Sequence, residues 1–300
     1  MNATPQDHRQ GNMSAPEIPD MEGDLQVPKT NAGKQNKCLY ILTLIAFCGL
    51  SACQSLNRDR DRNEGVNLLE TKKQIVTNSL DSGQAAQALK EVKALLSEYP
   101  SDPDVINLHG LVQLSLRNTT KASEALETAH RMRPDNLTFT LNLSSAYIQG
   151  RQYAKATTLL KEAVASEPAK TYRYRERIFH NLGLIAELSN DSIRSERWYT
   201  RALEENPTNF MTLLKMARIY ETTHRNLLAI DKLETATAAC PKCPEPVESM
   251  VRILVKQQKI KAAKAAVESF EKNESLTLDD TRRIVEMKRM IAKSPGPVRS

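Results

Sequence analysis

Cys240 and Cys243, within the sequence Cys240-Pro241-Lys242-Cys243, are spaced so that their thiols could do chemistry. Two thiols at this spacing form a disulfide, act as a redox pair or supply part of a zinc site. Zinc needs more ligands than these two, and the βαβ pattern that surrounds a catalytic Cys-x-x-Cys is missing. Because close thiols pair in an oxidising compartment, a disulfide is the leading interpretation if the protein is exported.

Cys53 points to a different chemistry, covalent lipid attachment. It follows an uncharged run, Leu39 to Ala52, which is shorter than the roughly 20 residues that span a bilayer. The run has the length of a signal-peptide h-region, and its end, Leu50-Ser51-Ala52-Cys53, resembles a bacterial lipobox. We therefore predict that Cys53 carries lipid and becomes the first mature residue, with Gln54 after it favouring the outer membrane. Three lysines precede the run, as in a positive n-region: Lys29, Lys34 and Lys37.

The leader accordingly covers residues 1–52, with its h-region at residues 39–52. The alternatives are a short buried helix and an uncleaved membrane anchor. A core helix would show polar positions at helical period, and this run shows almost none. Residues 1–36 are long for a leader; an early start codon, with initiation near Met21 or Val27, is an interpretation that the sequence leaves open.

The remainder of the chain divides into three segments. Residues 53–66 are predicted to be the lipidated cysteine and a flexible tether, residues 67–293 a folded domain, and residues 294–300 a disordered tail. Aromatic residues make up 5% of the sequence and glycines number 10, a composition that favours helices over β-structure. The net charge of +6 arises from well-mixed basic and acidic residues without a basic block, so we predict no nucleic-acid partner.

Other catalytic patterns are missing from the sequence. The 5 histidines do not fall at metal-binding spacings, and we find neither a phosphate-binding glycine loop nor a Gly-x-Ser-x-Gly elbow. We therefore predict a protein that is not an enzyme. It is expected to need no metal, no cofactor beyond the covalent lipid on Cys53, and no small-molecule substrate.

Five prolines reveal an internal repeat. Their spacings are 34, 34, 39 and 34 residues, and 34 is the period of the tetratricopeptide repeat (TPR). With each proline at position 32 of its unit, position 20 holds four alanines and a serine, and position 24 is always large. Two helices can approach closely where small residues lie, and large residues fill the space between units. The prolines are Pro100, Pro134, Pro168, Pro207 and Pro241.

A sixth unit and a final helix complete the predicted fold. In the sixth unit Ala263 falls at position 20 and Val267 at position 24. The segment from Thr277 to Ala292 then predicts one more amphipathic helix, with Thr277 as its N-cap. The predicted fold class is all-α, a TPR solenoid of about six helix-turn-helix repeats with a C-terminal capping helix. Three apolar residues of that helix are predicted to cover the last repeat, and four basic residues to face water: Ile284, Met287 and Ile291; Arg282, Arg283, Lys288 and Arg289.

The first helices of the second and third repeats predict a partner-binding groove. Positions 2, 5, 9 and 12 of a TPR unit line the concave surface, and here Leu111, Leu114, Leu141 and Ile148 occupy four of them in a polar frame. Such a strip suits an amphipathic helix or an apolar segment of a protein partner. The alternative is that some of these side chains contact neighbouring helices. The polar frame consists of Asp104, Asn107, Thr138 and Ser145.

The longer interval between the third and fourth repeats contains a basic, aromatic edge. Two tyrosines alternate there with three arginines: Tyr172, Arg173, Tyr174, Arg175 and Arg177. Either this edge contacts an acidic partner surface or it is an exposed longer loop, and we favour the second interpretation.

The lipobox, the six TPR units and the extended junction leading into Phe179-x-Asn181-Leu182-Gly183-Leu184 together resemble the PilF/PilW/Tgl family of type IV pilus pilotins. The resemblance extends from Cys53 to about Ala292. It implies a lipoprotein of the outer membrane, facing the periplasm, that helps a PilQ secretin to localise and assemble. The family's hydrophobic groove lies in its early repeats, which points again to the four groove residues. The long leader and the Cys240–Cys243 pair are not general features of that family.

Three functional hypotheses follow from these patterns. The first is a pilotin whose partner is a secretin of the PilQ type and whose contact with the membrane is its lipid anchor. The second is a generic periplasmic TPR lipoprotein that acts as a scaffold for cell-envelope enzymes. The third, from another class, is a thiol oxidoreductase that uses Cys240 and Cys243.

Substitution of the predicted lipid site tests the anchor. We expect Cys53→Ala to leave a folded protein that no longer fractionates with the outer membrane, because the acyl chains contribute about 0.8 kcal/mol for each buried methylene. Cys48→Ala, within the leader that is predicted to be removed, is the matched control and should fractionate as the unmodified protein does. Membrane fractionation and palmitate labelling provide the readout, and unchanged fractionation of Cys53→Ala would refute the anchor.

Overall fold

A computed structural model of the chain describes residues 66–273 and 276–294. Throughout those residues the regular secondary structure is helical, and they contain no β-strand. The first helix, α1, spans residues 66–81. The others are α2 (Ala85–Glu98), α3 (Pro103–Ser115), α4 (Thr119–Met132), α5 (Leu137–Gln149), α6 (Tyr153–Ala165), α7 (Glu167–Lys170), α8 (Glu176–Leu188), α9 (Ser192–Glu205), α10 (Phe210–Thr222), α11 (Asn226–Ala239), α12 (Glu245–Lys256), α13 (Ile260–Glu271) and α14 (Leu278–Ala292).

These helices form six helix-turn-helix units and a single final helix. The units are α1–α2, α3–α4, α5–α6, α8–α9, α10–α11 and α12–α13. First helices of neighbouring units also pack against each other, as α3 does on α5 and α5 on α8, and α12 packs against the final helix α14. The prediction of an all-α TPR solenoid of about six repeats with a C-terminal capping helix is therefore confirmed. The predicted leader, tether and tail lie wholly or almost wholly outside the described residues and stay predictions.

Small residues at position 20 allow the two helices of each unit to lie close together. Ala88, Ala122, Ala156, Ser195 and Ala229 have no exposed surface at all. The Ser195 hydroxyl donates a hydrogen bond of 3.0 Å to the backbone carbonyl of Gly183 on the facing helix, so this polar member of the set is satisfied. The large residues at position 24 are equally buried and fill the space between units: Val92, Leu126, Leu160, Tyr199 and Leu233.

Two glycines at position 8 mark the closest approach between paired helices. A Cβ atom added at Gly110 would lie 2.5 Å from Cγ of Leu126, and one added at Gly183 would lie 2.5 Å from Cδ1 of Tyr199. Both contacts join position 8 to position 24 of the same unit. A hydrogen atom at position 8 is therefore what allows a Leu or a Tyr to fill position 24 in these repeats.

The turn inside each unit repeats one backbone conformation six times. The residue at position 15 has a positive φ angle, between 57° and 71°, in all six units. The next N–H then donates to the carbonyl five residues earlier, as Asn118 does to Gln113 and Asp191 to Ala186, which is the Schellman pattern of a helix end. Only Gly83 is a glycine; the others are Arg117, Arg151, Asn190, His224 and Gln258.

The repeat prolines end the second helix of four units, as predicted. In α2, α4, α9 and α11 the C-cap is the residue immediately before the proline. Pro168 differs, because it lies in the first turn of the short helix α7, where its missing N–H costs no hydrogen bond. Helix α7 and the turns after it occupy the longer interval between the third and fourth repeats, and α8 begins only at Glu176.

Helix α14 closes the solenoid as the sequence predicts, with one difference. The Thr277 and Asp280 side chains form a capping box, which confirms the predicted N-cap. Arg282, Lys288 and Arg289 are exposed, but Arg283 turns to α12, where its guanidinium lies 3.4 Å from both Glu245 and Glu248. Ile284, Met287 and Ile291 are buried in the same core as α12 and α13.

The close approach at position 8 predicts a cost for an otherwise favourable substitution. Within a helix, Gly→Ala is normally stabilising by about 1 kcal/mol, but overpacking a core costs about 1–3 kcal/mol. We therefore expect Gly183→Ala to lower the free energy of unfolding, because the fully buried Tyr199 ring cannot move away. Gly150→Ala is the control, since its added Cβ meets nothing closer than 3.3 Å. Urea denaturation that shows Gly183→Ala to be as stable as the control would contradict this account.

Candidate partner-binding groove

Cys53 and the uncharged run before it lie outside the described residues. Lipidation, and membrane attachment through it, therefore stay predictions. Among the residues that the structure describes, no helix combines the length and apolar character needed to cross a membrane.

The four predicted groove residues divide into two buried and two accessible side chains. Leu141 and Ile148, on α5, keep only 5% and 8% of their surface exposed and belong to the hydrophobic core of the third unit. Leu111 and Leu114, on α3, are half-buried and pack with one side against the core. Leu141 and Ile148 therefore contact neighbouring helices, as the alternative interpretation holds, whereas Leu111 and Leu114 keep part of their apolar surface accessible.

Neutral polar groups surround this apolar surface. The Asn142 side-chain amide donates a hydrogen bond of 2.9 Å to Asn107 Oδ1, which links α5 to α3. Ser145 is exposed, and its hydroxyl donates to a carbonyl of its own helix. At the start of α3, Asp104 is neutralised by an ion pair with Arg133. The groove around Leu111 is therefore apolar in the middle and almost without net charge at its border.

The first helices of the later repeats present charges instead. Lys215 on α10 lies 3.2 Å from Glu187 on α8, and Glu221 on α10 pairs with Arg252 and Lys256 on α12 at 3.1 and 3.2 Å. Burial opposes ionisation of Glu221, but the hydrogen bonds from Arg252 and Lys256 outweigh it and lower its pKa below the ordinary value. Sequence analysis missed this series of ion pairs, whose members are 28 to 35 residues apart. The neutral border around Leu111 and Leu114 therefore distinguishes the early repeats from the charged first helices of the later ones.

His180 lies at the boundary between the neutral and the charged parts. The Thr212 hydroxyl donates to Asn209 Oδ1, so the Thr212 oxygen accepts from Nδ1–H of His180 at 2.8 Å. Burial, together with the positive charge of Lys215, lowers the pKa of His180 to about 4. The imidazole is therefore neutral at physiological pH and holds α8 against α10 as a hydrogen-bond donor.

Cys240 and Cys243 are joined at the turn between the fifth and sixth units. Their Cα atoms lie 5.4 Å apart, within the range of a disulfide, and the S–S bond is present. The Asn273 side chain, after α13, donates a hydrogen bond of 3.0 Å to the carbonyl of Pro241 in the same turn. Within residues 66–273 and 276–294 no group of three or more His, Cys, Asp or Glu side chains is placed to hold a metal ion.

The neutral state of His180 predicts a pH dependence of stability. The unfolded chain binds a proton at this histidine near pH 6.5, whereas the folded chain binds it only near pH 4. Since the unfolded state holds more protons between these values, the free energy of unfolding falls as the pH is lowered from about 6.5 to about 4. When the pH is lowered from 7 to about 4.5, we expect the free energy of unfolding of His180→Gln to fall by about 2 kcal/mol less than that of the unmodified protein. Urea denaturation at the two pH values measures the difference, and identical losses would rule the account out.

The sequence and the fold are both similar to known TPR proteins. Residues 113–174 match the tetratricopeptide repeat family model. No curated protein sequence is significantly similar to the chain.

Solved structures extend the likeness across the described solenoid. PilF of Pseudomonas aeruginosa is similar with a TM-score of 0.56 at 17% identity, over 73% of this chain and 97% of PilF. PilW, a widely conserved type IV pilus biogenesis factor, gives a TM-score of 0.57 at 15% identity, over 72% of this chain and 98% of PilW. A TPR protein of Thermus thermophilus gives 0.52 at 19% identity, over 62% of this chain and 99% of that one. The chain thus carries tetratricopeptide repeats and has the TPR fold, which is a scaffold for protein–protein interaction.

Proposed function

We propose that this protein is a lipid-anchored docking module of type IV pilus biogenesis, a pilotin that promotes the outer-membrane localisation and multimerisation of a PilQ-type secretin. In this proposal Cys53 carries the lipid, and the solenoid faces the periplasm. The groove around Leu111 and Leu114 receives an apolar segment of the secretin.

The observation that carries the proposal is a coincidence within one chain. A lipobox sequence ending at Cys53 precedes a solenoid that covers 97% of PilF and 98% of PilW. The accessible side chains of Leu111 and Leu114 also lie in an early repeat, where the pilotin resemblance puts the binding groove. These supports are a sequence motif, a fold and a surface, and each can be tested separately.

A lipid anchor has a physical purpose for such a module. It confines the groove to a thin layer at the membrane surface, so a secretin subunit arriving there meets a high effective concentration of the docking site. A groove that buries a short apolar segment can then work with modest intrinsic affinity. Anchoring and docking therefore depend on different residues, Cys53 for the first and Leu111 with Leu114 for the second.

A generic periplasmic scaffold for cell-envelope enzymes is the second candidate. Its support is that the residues at positions 20 and 24 build any TPR solenoid and do not specify a partner. Deletion of the gene in its own bacterium separates the two candidates. Loss of twitching motility and of heat-stable secretin multimers supports the pilotin, whereas intact multimers would leave only the scaffold.

Substitution in the groove tests which surface binds. We expect Leu111→Asp combined with Leu114→Asp to restore less than about a tenth of the secretin multimers in the deletion strain, because a buried unpaired carboxylate costs several kcal/mol. Leu227→Asp is the matched control, since this leucine is 72% exposed and lies on α11. Immunoblots of unheated membranes measure the multimers, and urea denaturation of both variants checks that the fold is retained. Full multimer levels with the double variant would exclude this groove.

A further inference from the structure

The segment that joins the third and fourth repeats is held firmly against the solenoid. This junction segment, residues 166–176, contains α7 and the turns that lead to α8. Ala169 has no exposed surface, and Tyr172 packs against the core of the third unit. The Tyr172 hydroxyl lies 3.1 Å from Oγ1 of Thr138, at the start of α5. The junction segment is thereby fixed to the rim of the concave surface, and is not a loose loop.

Aromatic and guanidinium groups are stacked on the outside of this segment. The Tyr172 and Tyr174 rings meet edge to face, with 6.0 Å between their centroids. The Arg173 guanidinium lies 5.4 Å from the centroid of the Tyr174 ring, and 44% of Tyr174 is exposed. Arg177, on the first turn of α8, follows closely, since its backbone N–H donates to the carbonyl of Tyr174. We call these four residues the Tyr/Arg surface: Tyr172, Arg173, Tyr174 and Arg177.

This surface has positive charge that the described residues do not neutralise. Lys170 and Arg175 each form an ion pair with a glutamate. Arg173 and Arg177 are exposed and form no ion pair with any residue that the structure describes. The carboxylate nearest in sequence, Glu176, is buried and is 6% exposed. Arg173, which stacks on the exposed Tyr174, and Arg177, on the next turn of the chain, are therefore available for a negatively charged contact.

We propose that the Tyr/Arg surface docks an acidic segment of a protein partner. A planar guanidinium binds a carboxylate through two parallel hydrogen bonds, and the stacking on Tyr174 fixes the orientation of Arg173 in advance. Tyrosine and arginine are also the residues that dominate the binding energy of protein interfaces. An anionic membrane is the poorer match, since recognition of its surface takes clusters of about 4–8 basic residues, whereas two unpaired arginines are present here. The proposal goes beyond the groove of the early repeats and uses none of its leucines.

Binding of a defined acidic probe tests the proposal. The full chain, purified in detergent, is titrated into a fluorescein-labelled deca-glutamate peptide, with a neutral Gly-Ser peptide of equal length as reference. We expect Arg173→Glu combined with Arg177→Glu to raise Kd about tenfold or more, which corresponds to the loss of two charge-assisted contacts. The double lysine variant, Arg173→Lys with Arg177→Lys, should weaken binding by a smaller factor. Lysine keeps the positive charge but cannot form the two parallel hydrogen bonds of a guanidinium group.

A charge-matched control separates this surface from the net charge of the protein. Lys259→Glu with Lys261→Glu changes the charge equally at the exposed start of α13 and should leave Kd unchanged. Equal weakening by both glutamate variants would overturn the proposal, as would failure of the unmodified protein to bind deca-glutamate. Binding to phosphatidylglycerol vesicles that is lost with the arginines, while peptide binding persists, would also overturn it in favour of a lipid surface. None of these binding measurements depends on secretin multimers. Their outcome is therefore distinguishable from failure of the proposal that the groove around Leu111 binds a secretin.

Discussion

The contact between position 8 of the first helix and position 24 of the second helix fixes the spacing of the second and fourth units. At Gly183 the Tyr199 ring comes within 2.5 Å of the place that a Cβ atom would take, and at Gly110 the Leu126 side chain does the same. Since the two helices cannot separate without opening a void, their outer faces have defined directions. The side chains available to a partner are therefore decided by a contact that no partner touches.

The positive φ angles at position 15 depend on that packing. A left-handed conformation costs an ordinary residue about 1–2 kcal/mol, yet Arg117 and Arg151 adopt the same conformation as Gly83. The backbone hydrogen bonds of the turn and the packing of both flanking helices together outweigh this cost. Because the same turn is repeated, the first helix of each unit is placed in the same way relative to its second helix. The first helices together form the concave surface.

The concave surface is consequently uniform in geometry and uneven in chemistry. Around Leu111 and Leu114 it is apolar with a neutral border, whereas from Glu187 onward ion pairs connect neighbouring first helices. Exposed ion pairs contribute little to stability, but they make the later repeats unsuitable for an apolar segment. This contrast supports an apolar partner segment in the early repeats. The His180 contact between α8 and α10 lies where the change in character begins.

The sequence by itself determined the repeat, its small and large positions and its capping helix, because each follows from a period along the chain. It also contains a sequence ending at Cys53 that resembles a lipobox, a local motif from which lipidation is predicted. Only the tertiary structure decided that Ile148 is buried while Leu114 is accessible, and that Arg283 pairs with Glu248, 35 residues earlier. Helical periodicity gives the face on which a side chain lies. How far the next unit covers that face depends on the spacing between units, and this spacing arises only when the helices pack.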